Sequence, residues 1–325
     1  MELLDGSDFM KYYIGVDIGG TNIAVGVVDE NFDIKCKGSI KTNAPRSAES
    51  ICDDIAGLCK SLCEKNGIDY GDILGVGVAS PGIIKDGVVV FASNLQFDNV
   101  PLKAMLEART GKKCAVCNDA NAAALAEYVA GAGKGYHSLV AVTIGTGVGG
   151  GIVLEGKIWE GFNGAGAEIG HIVTVPGGRL CTCGNRGCLE TYCSATALIN
   201  DTKEAMINNP DSKLWEICGH TDNVTGKSAY DAAEMGDEVA KNVIKKFIKY
   251  LSIGVANIIT LLQPEVVCIG GGMSAEGETL IAPLDKLVKE SGVIKSLSKR
   301  PKIRAAGLFN DAGIVGVAAE VIAEE

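Results

Sequence analysis

The feature that most limits the fold is a hairpin plan that occurs twice along the chain. An apolar strand predicted at Tyr12–Asp17 ends in a glycine turn and returns as a second apolar strand at Ile23–Val28. A later stretch repeats this plan, with a strand predicted at Leu139–Ile144, a glycine-rich turn and a return at Ile152–Leu154. Since helical periodicity follows each hairpin, the sequence predicts two similar α/β halves that face each other across a cleft.

The predicted domain boundaries follow from this repetition. Residues 1–134 are expected to form a small N-terminal α/β domain, with a C-terminal helix at 311–325 packing back on it. Residues 135–310 are expected to form a larger α/β domain that carries a metal segment at 171–188. The further predicted helices are Ser47–Lys65, Leu102–Arg109, Asp119–Ala132, Asp237–Leu262 and Asp311–Ile322, and the further strands are 33–42, Ile73–Ala79, Cys114–Cys117 and Val266–Ile269.

Composition excludes several classes of function. Glycine accounts for 43 of the 325 residues against only 8 prolines, so the excess serves backbone geometry and does not indicate a disordered Pro/Gly-rich segment. The net charge of −10 disfavours nucleic acid or an anionic membrane as partner, because neutralising phosphates takes clustered lysine and arginine. The longest apolar run, Leu251–Leu262, has 12 residues and is too short to span a bilayer.

The 12 cysteines bear on the cellular compartment. Met1–Lys11 lacks the basic start and the apolar stretch of a signal peptide. Without an export signal we expect a reducing environment, in which thiols stay free or bind metal, and hence a soluble, cytoplasmic protein. Cys52, Cys59 and Cys63 fall on the apolar face of a predicted helix and are expected to act as small core residues.

The first hairpin turn carries residues that suit a phosphate group. Glycines such as Gly19 and Gly20 let backbone N–H groups approach an anion, and the hydroxyl of Thr21 can donate to phosphate. Asp17, at the end of the strand, can hold Mg²⁺ or its water. An ordinary glycine hairpin accounts for the same residues, so this motif alone leaves both interpretations open.

The second turn favours the phosphate interpretation. Thr143–Gly151 contains five glycines in nine residues, more than a hairpin needs. Two opposed loops of this kind can clamp the β- and γ-phosphates of one nucleotide. Each loop returns as a strand, which distinguishes both from a Walker A loop and from a Rossmann fingerprint. A third cluster, Gly270–Gly272, follows a strand and precedes a helix, which suits contact with a nucleobase or ribose.

Asn118 and Asp119 stand where a short predicted strand enters a helix. Either residue type at this position is typical of a helix N-cap, which needs no catalytic role. An aspartate there can also act as a general base that accepts the proton of a hydroxyl attacking a γ-phosphate. The two interpretations are compatible for adjacent residues.

The densest group of metal-ligating residue types is His171 with Cys181, Cys183 and Cys188. Three cysteines and one histidine within 18 positions, with glycines that permit a tight knuckle, match a tetrahedral Cys₃His zinc site. Four protein ligands leave no position for water, so the predicted zinc is structural. The alternatives are buried free thiols or an RNA-binding zinc knuckle, and the acidic charge disfavours the latter. Glu168 and Glu190 flank the ligands and can face a polyhydroxy substrate.

Together these motifs resemble those of the ROK family (repressors, open reading frames and kinases), in particular its bacterial glucokinases. The resemblance extends from about Tyr12 to Ile322. It implies an α/β fold of two actin-like, ribonuclease-H-like domains, with ATP and sugar in the interdomain cleft. The matching segments are Asp17–Asn22, Thr143–Gly151 continuing through Gly156, Gly161, Gly164 and Gly166 to His171, Cys181–Glu190, and Gly270–Gly272.

The resemblance also implies roles for single residues. Asp119 would be the base that deprotonates the sugar 6-hydroxyl, and His171 would both ligate zinc and bind sugar. Phe97 stands where glucokinases of this group commonly have tryptophan. The sugar pocket would comprise Pro81, Gly82, Asn94, Asn118, Asp119, Glu168, His171 and Glu190. The MgATP site would comprise Asp17, Gly19, Gly20, Thr21, Asn22, Thr143, Gly145, Thr146, Gly147, Gly271 and Gly272.

The leading hypothesis is therefore an ATP-dependent kinase that phosphorylates glucose at the 6-hydroxyl. Fructose, mannose, N-acetylglucosamine and N-acetylmannosamine remain alternative substrates, and polyphosphate an alternative donor. A sugar-sensing ROK repressor fits less well, because its DNA-binding module precedes the first strand and only 11 residues precede Tyr12 here. A zinc-binding interaction module leaves both glycine loops and Asp119 unexplained. By analogy with the family, the protein is expected to be a homodimer or homotetramer.

Overall fold

The computed structural model describes residues Met10–Glu324, which divide into two compact units. The first unit contains the residues up to Lys134, the segment Glu160–Gly166 and the residues from Asn310 onward. The second unit contains the remainder of the described chain. Two predictions extend beyond the described residues, since Met1–Phe9 of the stretch analysed for a signal peptide and the terminal Glu325 lie outside them.

The segment Glu160–Gly166 lies in a different unit from the one that the sequence predicted for it. The sequence placed all of 135–310 in one domain, whereas this segment belongs to the first unit. Its glycine Gly164 lies against the backbone of Ile84 and the side chain of Lys85. This long-range backbone contact attaches the segment to the first unit, and a local sequence pattern does not reveal it.

The strands of the described chain are short and mostly apolar. In chain order they are β1 (Tyr12–Ile18), β2 (Asn22–Asp29), β3 (Ile34–Lys41), β4 (Ile73–Ser80), β5 (Ile83–Lys85), β6 (Val88–Ala92), β7 (Phe97–Val100), β8 (Lys113–Asn118), β9 (Ser138–Ile144), β10 (Val148–Leu154), β11 (Lys157–Ile158), β12 (Val266–Gly270) and β13 (Lys302–Ala305).

Helices alternate with these strands along the chain. None of those formed by residues Met10–Glu324 combines the length and apolar character needed to cross a membrane. In chain order they are α1 (Ala48–Lys65), α2 (Leu102–Thr110), α3 (Asp119–Val129), α4 (Glu190–Cys193), α5 (Ala195–Asn208), α6 (Leu214–Cys218), α7 (Ser228–Glu234), α8 (Glu238–Leu262), α9 (Glu278–Lys289) and α10 (Ala312–Ala323).

The first unit is built on a five-stranded sheet of order β3-β2-β1-β4-β8. The hairpin strands β1 and β2 pair antiparallel, as β2 and β3 do, while β4 lies parallel to both β1 and β8. Helix α1 covers this sheet with Ile51, Ile55 and the predicted thiol face. Cys52, Cys59 and Cys63 are buried and free, which confirms their prediction as core residues. Burial raises the pKa of the Cys59 thiol to about 12, so it stays protonated.

Helix α10 packs closely against the same sheet and against α3. Gly15 of β1 faces the backbone of Ile314, and Gly77 of β4 faces the backbone of Val317. A Cβ at either glycine would overlap the helix, so two glycines inside strands are needed for this close approach. The C-terminal helix therefore belongs to the core of the first unit.

The second unit repeats the topology on a sheet of order β11-β10-β9-β12-β13. Its hairpin strands β9 and β10 pair antiparallel, and β12 lies parallel to both β9 and β13. The long amphipathic helix α8 buries Phe247, Leu251 and Val255 in the core of this unit. The repeated hairpin plan predicted from the sequence is thus confirmed as a repeated sheet topology.

A third, three-stranded antiparallel sheet of order β5-β6-β7 was not predicted. Phe97, the position noted for its difference from related glucokinases, begins β7 and is buried in the core of the first unit. The sequence also did not predict α4, α5, α6, α7, β11 or β13, and it placed a helix after Gly270–Gly272, where α9 follows, without bounds.

Candidate active site

The first glycine turn joins β1 to β2 and is closed by a hydrogen bond from the Gly19 N–H to the Asn22 carbonyl, at 2.9 Å. Thr42, which follows β3 and lies outside the glycine motif, stabilises this turn through two hydrogen bonds. Its hydroxyl donates to the Gly19 carbonyl at 2.6 Å, and its N–H donates to the Thr21 carbonyl at 2.9 Å. The turn is therefore a tight hairpin whose carbonyl groups point toward Thr42.

Asp17 lies at the end of β1, directly before this turn, and pairs in the sheet with Ala79 of β4. Burial, and secondarily the negative charge of Asp119, raises the pKa of its carboxyl group to about 6. Two carboxylates that interact in this way favour a cation beside them. Their chemistry fits the hard, oxygen-seeking Mg²⁺ ion.

Asn118 ends β8 and is the N-cap of α3. Its Oδ1 accepts hydrogen bonds from the N–H groups of Ala120 at 2.9 Å and Asn121 at 3.3 Å. Its Nδ2 donates to the Gly82 carbonyl at 3.0 Å. The neighbouring Asp119 is exposed, and its Oδ1 accepts from the Ala120 N–H at 2.9 Å, which orients the carboxylate. The capping interpretation therefore describes Asn118, while Asp119 is accessible to a substrate.

The turn after β4 carries Pro81 and Gly82. Gly82 has φ +99° and lies against the carbonyl of Phe91, so both its conformation and its surroundings require glycine. Asn94, which follows β6, is exposed, and its Cβ lies 3.9 Å from the position that a Cβ on Gly20 would occupy. Asn94 is therefore next to the first glycine turn.

Parallel pairing explains why these residues meet. Strands β1, β4 and β8 run in one direction, so their carboxyl ends share one edge of the sheet. Ser80 pairs with Asn118 at this edge. Ligands of parallel α/β sheets bind at such an edge. The first unit thus gathers its predicted residues at one place: Asp17, Gly19, Gly20, Thr21, Asn22, Pro81, Gly82, Asn94, Asn118 and Asp119.

The second glycine turn joins β9 to β10 and is closed by a hydrogen bond from the Gly145 N–H to the Gly147 carbonyl, at 3.0 Å. The beginning of α5 braces it, since the Ala195 N–H donates to the Gly145 carbonyl at 2.8 Å. The hydroxyl of Thr196 donates to the Thr146 carbonyl at 2.7 Å. As in the first turn, side-chain and backbone donors from elsewhere hold the carbonyl groups of the loop.

A cavity of about 700 Å³ adjoins this turn. It brings Gly145 and Thr146 together with Gly272, beside Gly271, which has φ +76°. Thr143 lies in the same sheet opposite Gly270. Ile144, within the same glycine motif, also lines the cavity. Sequence reasoning missed the remaining residues because they follow no motif; they are Ala195, Gly226, Lys227, Glu234, Met273, Ala275, Glu276 and Thr279.

The four predicted metal ligands converge. One ligand atom from each of His171, Cys181, Cys183 and Cys188 lies within 4.8 Å of all the others. The Cys181 Sγ is 3.6 Å from the His171 Nδ1, and the sulfur atoms of Cys183 and Cys188 are 3.7 Å apart. Thiolate and imidazole donors at this spacing fit the tetrahedral site that zinc prefers.

Two acidic side chains lie beside this cluster. Glu168 is exposed, with its Oε2 3.9 Å from the Nε2 of His171. Glu190 accepts the Val148 N–H through Oε2 at 2.9 Å, and its Oε1 is 3.7 Å from the Cys181 Sγ. Glu190 therefore connects this cluster of one histidine and three cysteines to the second glycine turn, a link that spacing along the chain does not reveal.

The family model for the ROK family matches residues 13–324. This chain belongs to the ROK family.

Named ROK relatives are similar over nearly their whole length. The chain is 39% identical to a glucokinase of Thermotoga maritima over 96% of this chain and 97% of that protein. It is 37% identical to a glucokinase of Halalkalibacterium halodurans over 94% of this chain and 93% of that protein. Among solved structures, a ROK glucokinase from Streptomyces griseus in complex with glucose and AMPPNP shares 38% identity and a TM-score of 0.79, covering 97% of this chain and 100% of that one.

These similarities confirm the predicted fold class, the actin-like, ribonuclease-H-like α/β fold of ROK sugar kinases. The two five-stranded sheets of this ROK protein have equivalent strand orders. The predicted sugar residues fall in both units. Pro81, Gly82, Asn94, Asn118 and Asp119 lie in the first unit, and Glu168, His171 and Glu190 lie in the second.

Proposed function

We propose that this ROK protein is an ATP-dependent glucose kinase, which transfers the γ-phosphoryl group of ATP to the 6-hydroxyl of glucose. One structural observation carries the proposal. The exposed carboxylate of Asp119 stands at the sheet edge where the first glycine turn begins, in a chain whose full-length relatives are named glucokinases. A phosphate loop and a general base on one edge are the parts that phosphoryl transfer requires.

Asp119 acts as the general base. It accepts the proton of the sugar 6-hydroxyl as that oxygen forms a bond to the γ-phosphorus, while the bond from the γ-phosphorus to the bridging oxygen breaks and ADP leaves. Asp17 is less suited to this role, because it is half-buried directly before the first glycine turn, whereas Asp119 is exposed to a substrate. We assign Asp17 instead to Mg²⁺, which neutralises phosphate charge when bound.

The nucleotide is held by the glycine turns. In the second unit, the cavity beside Thr146 and Gly272 has a volume of about 700 Å³ and accommodates a nucleoside next to a phosphate loop. Backbone N–H groups of Gly20 and Gly147 are the donors proposed for phosphate oxygens. Asn22, Thr143 and Gly271 are further residues of the proposed MgATP site, and we assign them the role of maintaining the conformation of the turns.

The Cys₃His cluster holds a structural zinc ion. In this assignment the Nδ1 of His171, which faces the Cys181 thiol, ligates the metal, and Nε2 remains for a sugar hydroxyl together with Glu168. Both nitrogens of one imidazole are then used, and the metal sets the orientation of the ring. Glu190, Asn94 and the remaining N–H of the Asn118 amide are the other proposed sugar contacts.

An ADP-production assay tests this function with glucose, fructose, mannose, N-acetylglucosamine and N-acetylmannosamine as acceptors, and with ATP or polyphosphate as donor. We expect glucose and ATP to give the highest kcat/KM. Asp119→Asn should lower kcat by about 10²–10⁴-fold, because loss of a general base has this effect.

Near-full turnover in Asp119→Asn would refute the base assignment, and absence of turnover with every sugar would refute the kinase. The cytoplasmic location and the homodimeric or homotetrameric state stay predictions. Cell fractionation and light scattering at several protein concentrations test them.

A further inference from the structure

Each glycine turn has a threonine outside the glycine motifs that donates its hydroxyl to a carbonyl of the turn. In the first unit the Thr42 Oγ1 lies 2.6 Å from the Gly19 carbonyl oxygen. In the second unit the Thr196 Oγ1 lies 2.7 Å from the Thr146 carbonyl oxygen. The two threonines are separated from their acceptors by 23 and 50 positions, so neither contact is a local turn interaction.

These hydrogen bonds fix the direction of N–H groups. A trans peptide is planar, with its C=O and N–H on opposite sides, so holding the oxygen of one residue also aims the N–H of the next residue. The Gly19 carbonyl shares its peptide plane with the Gly20 N–H, and the Thr146 carbonyl shares its plane with the Gly147 N–H. A further bond, from the Ala195 N–H to the Gly145 carbonyl, aims the Thr146 N–H in the same way.

We infer that Thr42 and Thr196 are positioning residues for nucleotide binding, which aim the phosphate-binding N–H groups of the two turns without touching the nucleotide. The inference rests on the proposed function, since it takes the turns as the phosphate loops. A preorganised donor costs no rearrangement when the anion binds, so its value appears as nucleotide affinity.

Both threonines stand on rigid supports. Thr42 is fully buried, and its carbonyl accepts a hydrogen bond from the Arg46 Nε at 2.7 Å. Thr196 lies in the first turn of α5, where the hydroxyl of the N-cap Ser194 accepts from the Ala197 N–H at 3.1 Å. Each hydroxyl is therefore presented at a fixed place, as a positioning role requires.

The chain offers a matched control in the same helix. Thr202 of α5 is buried, and its hydroxyl donates to the Leu198 carbonyl at 2.7 Å, four residues earlier. Replacing Thr202 by valine removes the same kind of hydrogen bond without touching a glycine turn. Comparing Thr202→Val with Thr196→Val therefore distinguishes a loss of loop orientation from a general loss of helix stability.

The experiment compares Thr42→Val, Thr196→Val and Thr202→Val, with Thr42→Ser and Thr196→Ser as conservative variants. ADP affinity is measured by titration calorimetry, KM for ATP and for glucose by steady-state kinetics, and Tm by thermal melting. We expect the two loop valine variants to bind ADP about fivefold to tenfold more weakly, the loss of one net hydrogen bond. The glucose KM should change less than about twofold, and the serine variants should recover most of the ADP affinity.

Wild-type ADP affinity in both loop valine variants would overturn the inference while the proposed function stands. A loss in Thr202→Val equal to that in Thr196→Val would also overturn it, because a general structural effect would then explain the data. A wild-type protein that binds no ADP would overturn the proposed function itself. A lower Tm in Thr196→Val without a change in ADP affinity would overturn the positioning role of Thr196, because the threonine would then only stabilise the fold.

Discussion

The two units share one sheet order, yet they hold their glycine turns by different means. In the first unit the brace is Thr42, which is fully buried and held in turn by Arg46. In the second unit the brace is the exposed Thr196, joined by Glu190, whose carboxylate also lies beside Cys181 of the metal cluster. The first unit thus supports its turn from the buried core. The second unit supports its turn from residues next to the cluster of His171 and the three cysteines.

This difference shows where each turn obtains its rigidity. A buried threonine is fixed by close packing, which persists as long as the unit is folded. A surface threonine depends on the segment that carries it, and that segment begins directly after Cys188, one of the four proposed zinc ligands. We therefore expect the second turn, and not the first, to respond to removal of the metal.

The strongest test of this comparison is the double variant Cys181→Ala, Cys183→Ala. Zinc content should fall from about one ion per chain to none, because two of four ligands are lost. ADP affinity should fall by about 10-fold or more, since Glu190 and the segment after Cys188 lose their support. Metal analysis and ADP calorimetry measure the two effects.

The matched control is the double variant Cys52→Ala, Cys59→Ala, whose cysteines lie in the core of the first unit. This variant should retain about one zinc ion per chain. Full zinc occupancy in the ligand variant would contradict the assignment of the site. Unchanged ADP affinity in a zinc-free ligand variant would break the proposed link between metal and turn.

A second test uses the space around two glycines of the same turn. A Cβ on Gly147 would overlap the carboxylate of Glu190, whereas a Cβ on Gly145 would have no atom within 4 Å. Gly147→Ala should therefore lower the free energy of unfolding by about 1 kcal/mol, because the displaced Glu190 carboxylate loses its hydrogen bond to the Val148 N–H. Gly145→Ala should change it by less than about 0.5 kcal/mol.

Urea denaturation measures both variants. Equal destabilisation by the two alanines would show that Glu190 does not hold the turn as closely as the 2.9 Å hydrogen bond to the Val148 N–H indicates.

The smallest expected effect concerns Asp17, beside the first turn. Burial, with a further contribution from Asp119, raises the pKa of its carboxyl group to about 6, so the ionised form destabilises the folded state above that pH. Asp17→Asn should therefore increase the free energy of unfolding by about 1–2 kcal/mol at pH 7. The gain should shrink as the pH falls from 7 to 5, because the wild-type carboxyl then takes up a proton in the folded protein.

Chemical denaturation at pH 5, 6 and 7 checks the sign, with the exposed Asp72→Asn as control within about 0.5 kcal/mol at each pH. An Asp17→Asn variant that is less stable than wild type at pH 7 would show that a favourable contact of this carboxylate outweighs the cost of its burial. A gain that is constant from pH 5 to 7 would exclude the titration of Asp17 as its cause.

Local patterns predicted the elements that are long or repeated. Helices α1 and α8 each begin one residue later than predicted, because Ser47 and Asp237 are their N-caps, and both end at the predicted residue. Short strands escaped prediction, because β5 has three residues and β7 has four, too few for alternation to be recognised. Helix α5 escaped because polar and apolar residues alternate irregularly along it.

The residues of the candidate site also include some that local patterns predicted and others that they did not. Motifs indicated the two glycine turns, the Asn118-Asp119 pair and the four metal ligands, because each is a dense local group of residues. No pattern indicated Lys227 or Glu276 in the cavity, since isolated residues at its wall carry no spacing signal.

The sequence by itself determined the repeated hairpins, the residues of the two glycine turns and the grouping of His171 with Cys181, Cys183 and Cys188, since all of these are encoded by neighbours along the chain. Only the tertiary structure decided which groups hold the loops in place. Thr42 reaches Gly19 across 23 positions, Glu190 reaches Val148 across 42, and Thr196 reaches Thr146 across 50. A hydrogen bond depends on a distance of about 3 Å in space, and sequence separation carries no such distance until the sheets and helices have packed.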